Sequence, residues 1–277
     1  MDALDERQAR ADGLMVFWAQ PGNWVYKRFD GTQWQIFVSD ELPQTVFDLT
    51  TDTGGRVYFS GYSAPLFQDK IVIFNPADTT WSAVDLFAAG NAVINGSEVE
   101  ADKSGNVWFG TDQGLGKQAA DGSVAVFPTP GFGQWPNGWL ELGIGPAGKV
   151  YVIHKGDPNN LDLILYEFDV NAAAWTPIPW PIPELAQFSN PIGRNWWHVD
   201  PKGRIWVAYG NRTWVRETGI WTEIVQSPDL FVNTFGSSPD GQVYLGFYAY
   251  LGRFNASGHI DGLLLHDAAC ISPSGVS

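Results

Sequence analysis

Three carboxylates share one place in this sequence: Asp48, Glu98 and Glu141 each stand seven residues before a glycine, Gly55, Gly105 and Gly148, that ends a polar turn. Carboxylates brought close together ionise with difficulty, so such a set either holds a divalent cation such as Ca²⁺ or Mg²⁺ or shares a raised pKa. The competing outcome is a solvated acidic channel, which the lack of any close-spaced ligand motif favours. Two of the four histidines stand where they would serve as general base or ligand. His154 ends a strand beside Lys155, and His198 follows Trp196 and Trp197. A hydrogen-bonded structural role is the other reading of each. His259 and His266 read as structural or exposed.

Aromatic rings supply a second kind of chemistry. Trp135, Trp139, Trp180, Trp196 and Trp197 follow no period, and flat rings at a loop face stack on a sugar while Asn137, Asn190, Arg194 and Asn195 bond its hydroxyls. The alternative is that these rings fill irregular space beneath long loops. A ligand-binding set of Trp135, Trp139, Asn190, Arg194, Asn195, Trp196 and His154 is the candidate. No serine nucleophile elbow, zinc motif or phosphate-binding glycine loop occurs.

Charge narrows the partners. A net charge of -14 opposes the clustered Lys and Arg that phosphate tracking requires, so nucleic acid is set aside in favour of a small molecule or glycan. No apolar run is long enough to insert in a membrane, and Met1-Asp2-Ala3-Leu4-Asp5-Glu6-Arg7 lacks the pattern of a secretory signal. Cys270, the single cysteine, has no internal disulfide partner.

The elements that must position these groups repeat along the chain. Asp52-Thr53-Gly54-Gly55-Arg56-Val57-Tyr58-Phe59 returns as Asp102-Lys103-Ser104-Gly105-Asn106-Val107-Trp108-Phe109 and as Asp200-Pro201-Lys202-Gly203-Arg204-Ile205-Trp206-Val207. Looser copies begin at Gly145, Ser238 and Asp12, so marker glycines stand at 13, 55, 105, 148, 203 and 241. Asp or Ser at the first position caps a turn, the closing glycine takes φ > 0, and an alternating strand follows. A third strand and a fourth beginning near Trp34, Trp81, Trp175 or Trp221 complete a four-stranded blade. The periodic Trp residues are expected to be buried in outer-strand packing.

Six markers predict an all-β, six-bladed β-propeller over 1-277, a single domain of four-stranded antiparallel blades. Residues 1-10 read as a poorly ordered N-terminal segment. Residues 5 to 12 are too polar for an inner strand, whereas 267 to 275 read as half a repeat; the expectation is that this C-terminal strand pairs with the N-terminal blade and closes the ring. Six residues before the markers, Leu49, Val99, Leu142, Trp197 and Phe235 form an apolar column suited to packing between blades. Alternation then turns Asp48, Glu98 and Glu141 the other way.

The stretch from Asp102 to Leu115, with its Gly110-Thr111 and Gly114-Leu115, resembles the repeat of two-component-regulator propellers. That resemblance implies a periplasmic or extracellular, non-catalytic sensor module that recognises a glycan through loops at one face. The repeat is also similar to those of streptogramin lyases, whose N-x-I-G-R-I segment resembles Tyr250-Leu251-Gly252-Arg253-Phe254-Asn255, and of gluconolactonase-like enzymes, whose turns resemble Ser237-Ser238-Pro239-Asp240-Gly241. Those likenesses imply the alternative of a metal-dependent lyase or lactonase with an acidic site at the axis, Asp48, Glu98 and Glu141 as ligands and His154 or His198 as base. The gluconolactonase N-D-G segment is broken here, at Asn95-Gly96-Ser97-Glu98. A protein-interaction scaffold is the third reading.

Overall fold

The computed structural model describes residues 9–10, 13–20, 23–29, 33–43, 45–52, 54–63, 68–84, 98–111, 113–130, 140–146, 148–157, 160–186, 196–224, 232, 234–237, 241–247, 250–254 and 260–264. Apart from one short helix, α1 (Pro183–Ala186), their regular structure is all β. The strands form four-stranded antiparallel sheets in which each strand pairs with its neighbour in sequence. Contacts divide the chain into two units, Met1–Leu142 with Val152–Leu161, and Gly143–Tyr151 with Asp162–Ser277.

In the first unit, one sheet runs β1 (Ala9–Arg10), β2 (Gly13–Gln20), β3 (Asn23–Phe29) and β4 (Trp34–Val38). The next runs β5 (Thr45–Thr51), β6 (Val57–Ser63), β7 (Gln68–Asn75) and β8 (Thr80–Ala83). A third runs β9 (Val99–Ala101), β10 (Val107–Thr111), β11 (Gly114–Gln118) and β12 (Val124–Pro128). The sheet of β13 (Leu140–Ile144), β14 (Lys149–Asp157), β15 (Asn160–Asp169) and β16 (Ala174–Ile178) contributes residues to both units. The second unit holds β17 (Trp197–Val199), β18 (Ile205–Tyr209), β19 (Arg212–Glu217) and β20 (Ile220–Ile224), then β21 (Thr234–Ser237), β22 (Val243–Phe247), β23 (Tyr250–Phe254) and β24 (Ile260–Leu264). Four-stranded antiparallel sheets of this kind are those of an all-β propeller.

Alternation along the strands builds a separate apolar layer on each side of a sheet. Val57, Phe59, Val72 and Phe74 join Tyr26, Leu42 and Leu49 on one side of the β5–β8 sheet. Tyr58, Ile71 and Ile73 join Val99, Val107 and Phe109 on the other. In the second unit Trp206 and Ile224 pack with Val243, against which Phe235 and Phe254 lie. The column six residues before the markers behaves as expected through Leu49, Val99, Leu142 and Trp197, all buried.

The turn between the first two strands is organised by one aspartate. Asp52 Oδ1 accepts from the backbone N–H groups of Gly54 and Arg56, both at 2.9 Å, while Oδ2 accepts from Arg56 Nε at 2.7 Å and from the Tyr58 hydroxyl at 3.1 Å. Asp102 repeats the pattern with Ser104, Asn106 and the Trp108 indole N–H. Asp200 repeats it with Lys202, Arg204 and Trp206. The marker glycines close these turns with φ between 75° and 82° at Gly55, Gly105, Gly148, Gly203 and Gly241, the left-handed region that glycine enters without strain.

In the β13–β16 sheet, where Gly145 stands in place of the aspartate, another acid takes over its partners. A Cβ at Gly145 would lie 2.7 Å from the Tyr151 ring, so no acidic side chain fits there without moving that ring. Glu167, on β15, instead takes Lys149 Nζ at 2.5 Å and a hydrogen bond from Tyr151. Burial, followed by the charge of Glu167, pushes the Tyr151 hydroxyl up to about 12.

Two expectations need correction. Residues 9 and 10, within the stretch 5 to 12 read as too polar for an inner strand, form β1 at the head of their sheet, with Ala9 opposite Leu14 and Arg10 opposite Gly13. Antiparallel pairing uses backbone groups, so the polarity of the segment does not prevent it. Residues 267 to 275 lie outside the described residues. The periodic Trp residues do sit on outer strands, but Trp34 is 47% exposed and Trp81, Trp175 and Trp221 are only half-buried. An outer strand has a packed neighbour on one edge alone, so its rings cover the layer's rim: Trp81 lies 4.5 Å from Phe74, and Trp175 the same distance from Phe168. The fully buried indoles are Trp108 and Trp206, held by the turn aspartates.

Asp200→Ala should therefore lower the free energy of unfolding by about 3 kcal/mol, because it strands the buried Trp206 N–H and frees the Arg204 guanidinium of its partner. Glu167→Gln should cost only about 1 kcal/mol, since its ion pair with Lys149 is partly solvated. Urea denaturation of both variants checks the ranking; equal losses would show that the aspartate is not what secures the turn.

Candidate functional site

The described residues seven and five places before the marker glycines from Gly55 onward lie on first strands or, as Glu98 and Trp196 do, immediately before them, and neighbouring first strands touch: β5 with β9 in one unit, β17 with β21 in the other. Asp48 follows a register shift between Val46 and Asp48 on β5, and its Oδ2 accepts from the Val99 backbone N–H at 3.0 Å. Glu98 Oε2 accepts from the Leu142 N–H at 2.8 Å. The same carboxylate position thus ties to the same backbone position of the following repeat. Two residues on, Thr50 Oγ1 accepts from Ala101 N–H at 3.3 Å and reaches Glu100 Oε2 at 3.5 Å.

Neighbouring acids act on Glu98. Burial, followed by the charges of Glu141 and Asp48 and then Glu100, holds the Glu98 carboxyl well above the ordinary carboxylate range, against a smaller opposing pull from Leu142 N–H. Glu141, on β13, is fully buried. Thr50 and Glu100 belong to this constellation. Their shared register, five residues before Gly55 and Gly105, is the signal that reveals them. Among the described residues, no group of three or more His, Cys, Asp and Glu side chains is arranged to hold a metal ion.

In the second unit, His198 Nε2 lies 2.9 Å from the Ser237 hydroxyl, joining β17 to β21. Burial pushes the imidazole down to about 4 despite the opposing charge of Asp200, so it is neutral at physiological pH. A general base works best with a pKa near the operating pH, and this ring lies far below it. His154, on β14, is fully buried and presents no surface to a ligand.

Trp196, expected in a stacking platform, is a packing residue instead. Its ring is only 4% exposed and lies 5.7 Å from Trp180, whose indole N–H donates to the Leu163 carbonyl at 2.8 Å. The half-buried Trp180 ring covers Trp196, which is the packing alternative. Trp135, Trp139, Asn137, Asn190, Arg194 and Asn195 lie outside the described residues.

No family model matches the chain, and no curated protein matches its sequence. Solved structures do. The extracellular domain assigned to a hybrid two component system of B. thetaiotaomicron aligns over 92% of this chain and 40% of its own, with a TM-score of 0.55 and 10% identity. A protein from Lactobacillus plantarum aligns over 87% and 76%, with a TM-score of 0.52 and 17% identity. An ulvan lyase of polysaccharide lyase family PL25 aligns over 94% and 82%, with a TM-score of 0.50 and 11% identity. The chain spans about two fifths of the B. thetaiotaomicron domain. At such identities the likeness is one of fold, and it supports the propeller. No helix among the described residues is long and apolar enough to cross a membrane.

The Glu98 environment generates a pH test. Its folded pKa stands above the ordinary value of 4.5, so the stability it contributes is complete below that value and is lost as pH rises through the folded pKa. Glu98→Gln keeps an acceptor for Leu142 N–H but cannot ionise. The variant should match the wild type near pH 4 and exceed its melting temperature at pH 8 by several degrees, about 1–2 kcal/mol. Thermal melts across that range check it; a constant difference between the two proteins would mean that Glu98 is not electrostatically strained.

Proposed function

We propose that this chain is a non-catalytic, sensor-type propeller that binds a carbohydrate or another small polar molecule at one loop face and works in the periplasm or outside the cell. The observation that carries this reading is the engagement of the groups an enzyme would use. Asp48 and Glu98 hold backbone N–H groups of neighbouring first strands, and His198 is neutral and bound to Ser237. The fold likeness to an extracellular domain of a two component system supports the sensor reading and its location.

In this proposal 1-277 is one domain of six blades, Trp135, Trp139, Asn190, Arg194 and Asn195 belong to the binding loops, and no metal is required. The acids around Glu98 favour one second reading, a metal-dependent lyase or lactonase, and the likeness to a polysaccharide lyase keeps it worth testing. Titration with Ca²⁺ and Mg²⁺, followed by a glycan array in the presence of chelator, separates the two. Glycan binding without metal supports the sensor. Tight metal binding with cleavage of a bound glycan would replace it by the enzyme.

Trp139→Ala should weaken glycan binding by tenfold or more, as loss of an aromatic anchor does, and leave the melting temperature nearly unchanged. Trp196→Ala should instead destabilise the fold by about 3–5 kcal/mol. Ring closure by residues 267 to 275 is part of the same proposal, and deleting them should lower the melting temperature and promote aggregation through exposed strand edges. A deletion variant that melts like the full chain would leave β1 as the sole first strand of its sheet and end the closure model.

A further inference from the structure

The second unit carries a gap that its own repeat does not call for. Five residues before the markers, Thr50, Glu100 and His198 present side chains, whereas Gly143 and Gly236 present none. The two glycines differ in why they are glycine. A Cβ at Gly143 would lie 2.4 Å from Val199 and 3.0 Å from Trp197, so close packing excludes any side chain there. Among the described residues, a Cβ at Gly236 would meet nothing within 4 Å, and its φ lies outside the left-handed region that favours glycine. Neither packing nor backbone conformation demands glycine at this position.

The first unit shows what ordinarily stands there. Thr50 meets the Glu100 side chain at the same register of the following strand. His198 and Gly236 hold the corresponding places on β17 and β21, so the open space lies where a side chain facing His198 would be. The next residue along β21 is Ser237, already bonded to His198 Nε2. Gly236, Ser237 and His198 each retain partial solvent exposure.

We propose that this space is a binding subsite for an uncharged, hydroxyl-bearing ligand such as a neutral monosaccharide unit, held by the Ser237 hydroxyl and the His198 imidazole. The Ser237 hydroxyl has one donor and two acceptor lone pairs, so its bond to His198 leaves capacity for a ligand hydroxyl, which itself both donates and accepts. An anion gains nothing here: the imidazole is neutral, and the chain carries a net charge of -14. A cation would find no carboxylate at this register of β21. The subsite rests on the ligand-binding reading above but not on the loop residues named there.

The test uses the full chain, isothermal titration with glucose, galactose, mannose, xylose and rhamnose, and two variants. Wild type should bind at least one of these sugars. Gly236→Thr should reduce that affinity tenfold or more by occupying the space, with an unchanged melting temperature because nothing is displaced. Ser237→Ala should weaken it by about tenfold through loss of one hydrogen bond. Affinity retained in both variants would overturn the subsite while leaving the ligand-binding reading intact. A marked drop in melting temperature for Gly236→Thr would show the space to be filled and overturn the subsite as well. No heat with any of the sugars would overturn the subsite, while the ligand-binding reading falls only if the glycan array also shows no binding.

Discussion

Each blade in which it occurs depends on a single carboxylate at the head of its first turn. One oxygen gathers two backbone N–H groups, which fixes the turn, and the other takes a side chain four residues on and a ring donor six residues on. Trp108 and Trp206 are almost wholly buried, and a buried indole N–H without an acceptor carries a penalty comparable to several favourable contacts. The aspartate removes that penalty. The interaction that shapes the turn is therefore also what admits the largest rings to the layers between sheets. In Tyr58, burial and the Asp52 charge together raise the hydroxyl's pKa, so the phenol remains a donor to that carboxylate at any ordinary pH.

The fourth sheet shows that the requirement is for the charge in that place rather than for the residue that delivers it. Gly145 has surrendered the acid, and the ring of Tyr151 occupies the room this leaves. Glu167 reaches the same two partners, the cation four residues after the turn head and the ring six after it, from the opposite strand. Lys149 and Tyr151 keep the repeat's spacing while the anion comes from elsewhere. Such a replacement preserves the local chemistry because a hairpin brings β14 and β15 side by side.

These cases mark how far the sequence can be read. The turn, its positive-φ glycine and the alternating strand after it are local features and were legible at Asp52, Asp102 and Asp200. Glu167 was not legible as their substitute, since its partnership with Lys149 depends on strand pairing that no short motif encodes. Burial of Trp34 was misjudged for a related reason: period assigns a residue to an outer strand, but whether its ring is covered depends on a neighbouring layer. In the candidate site, the convergence of Asp48, Glu98 and Glu141 followed from strand alternation. Their backbone acceptor role was hidden, because the N–H groups of Val99 and Leu142 belong to the next repeat.

That role changes what polar residues on the first strands can do. First strands of neighbouring sheets are joined through side chains, carboxylate to N–H in one unit and imidazole to hydroxyl in the other. A side chain committed to such a tie is poorly placed for proton transfer, since moving its proton disturbs the contact between sheets. Binding is compatible with it, because a hydroxyl or carboxylate that already holds one partner can accept another without giving up the first. Under the proposed function, the arrangement serves recognition along this face. It also makes an omitted side chain informative: among the described residues a Cβ at Gly236 would meet nothing, beside a Ser237 hydroxyl that is bonded to His198.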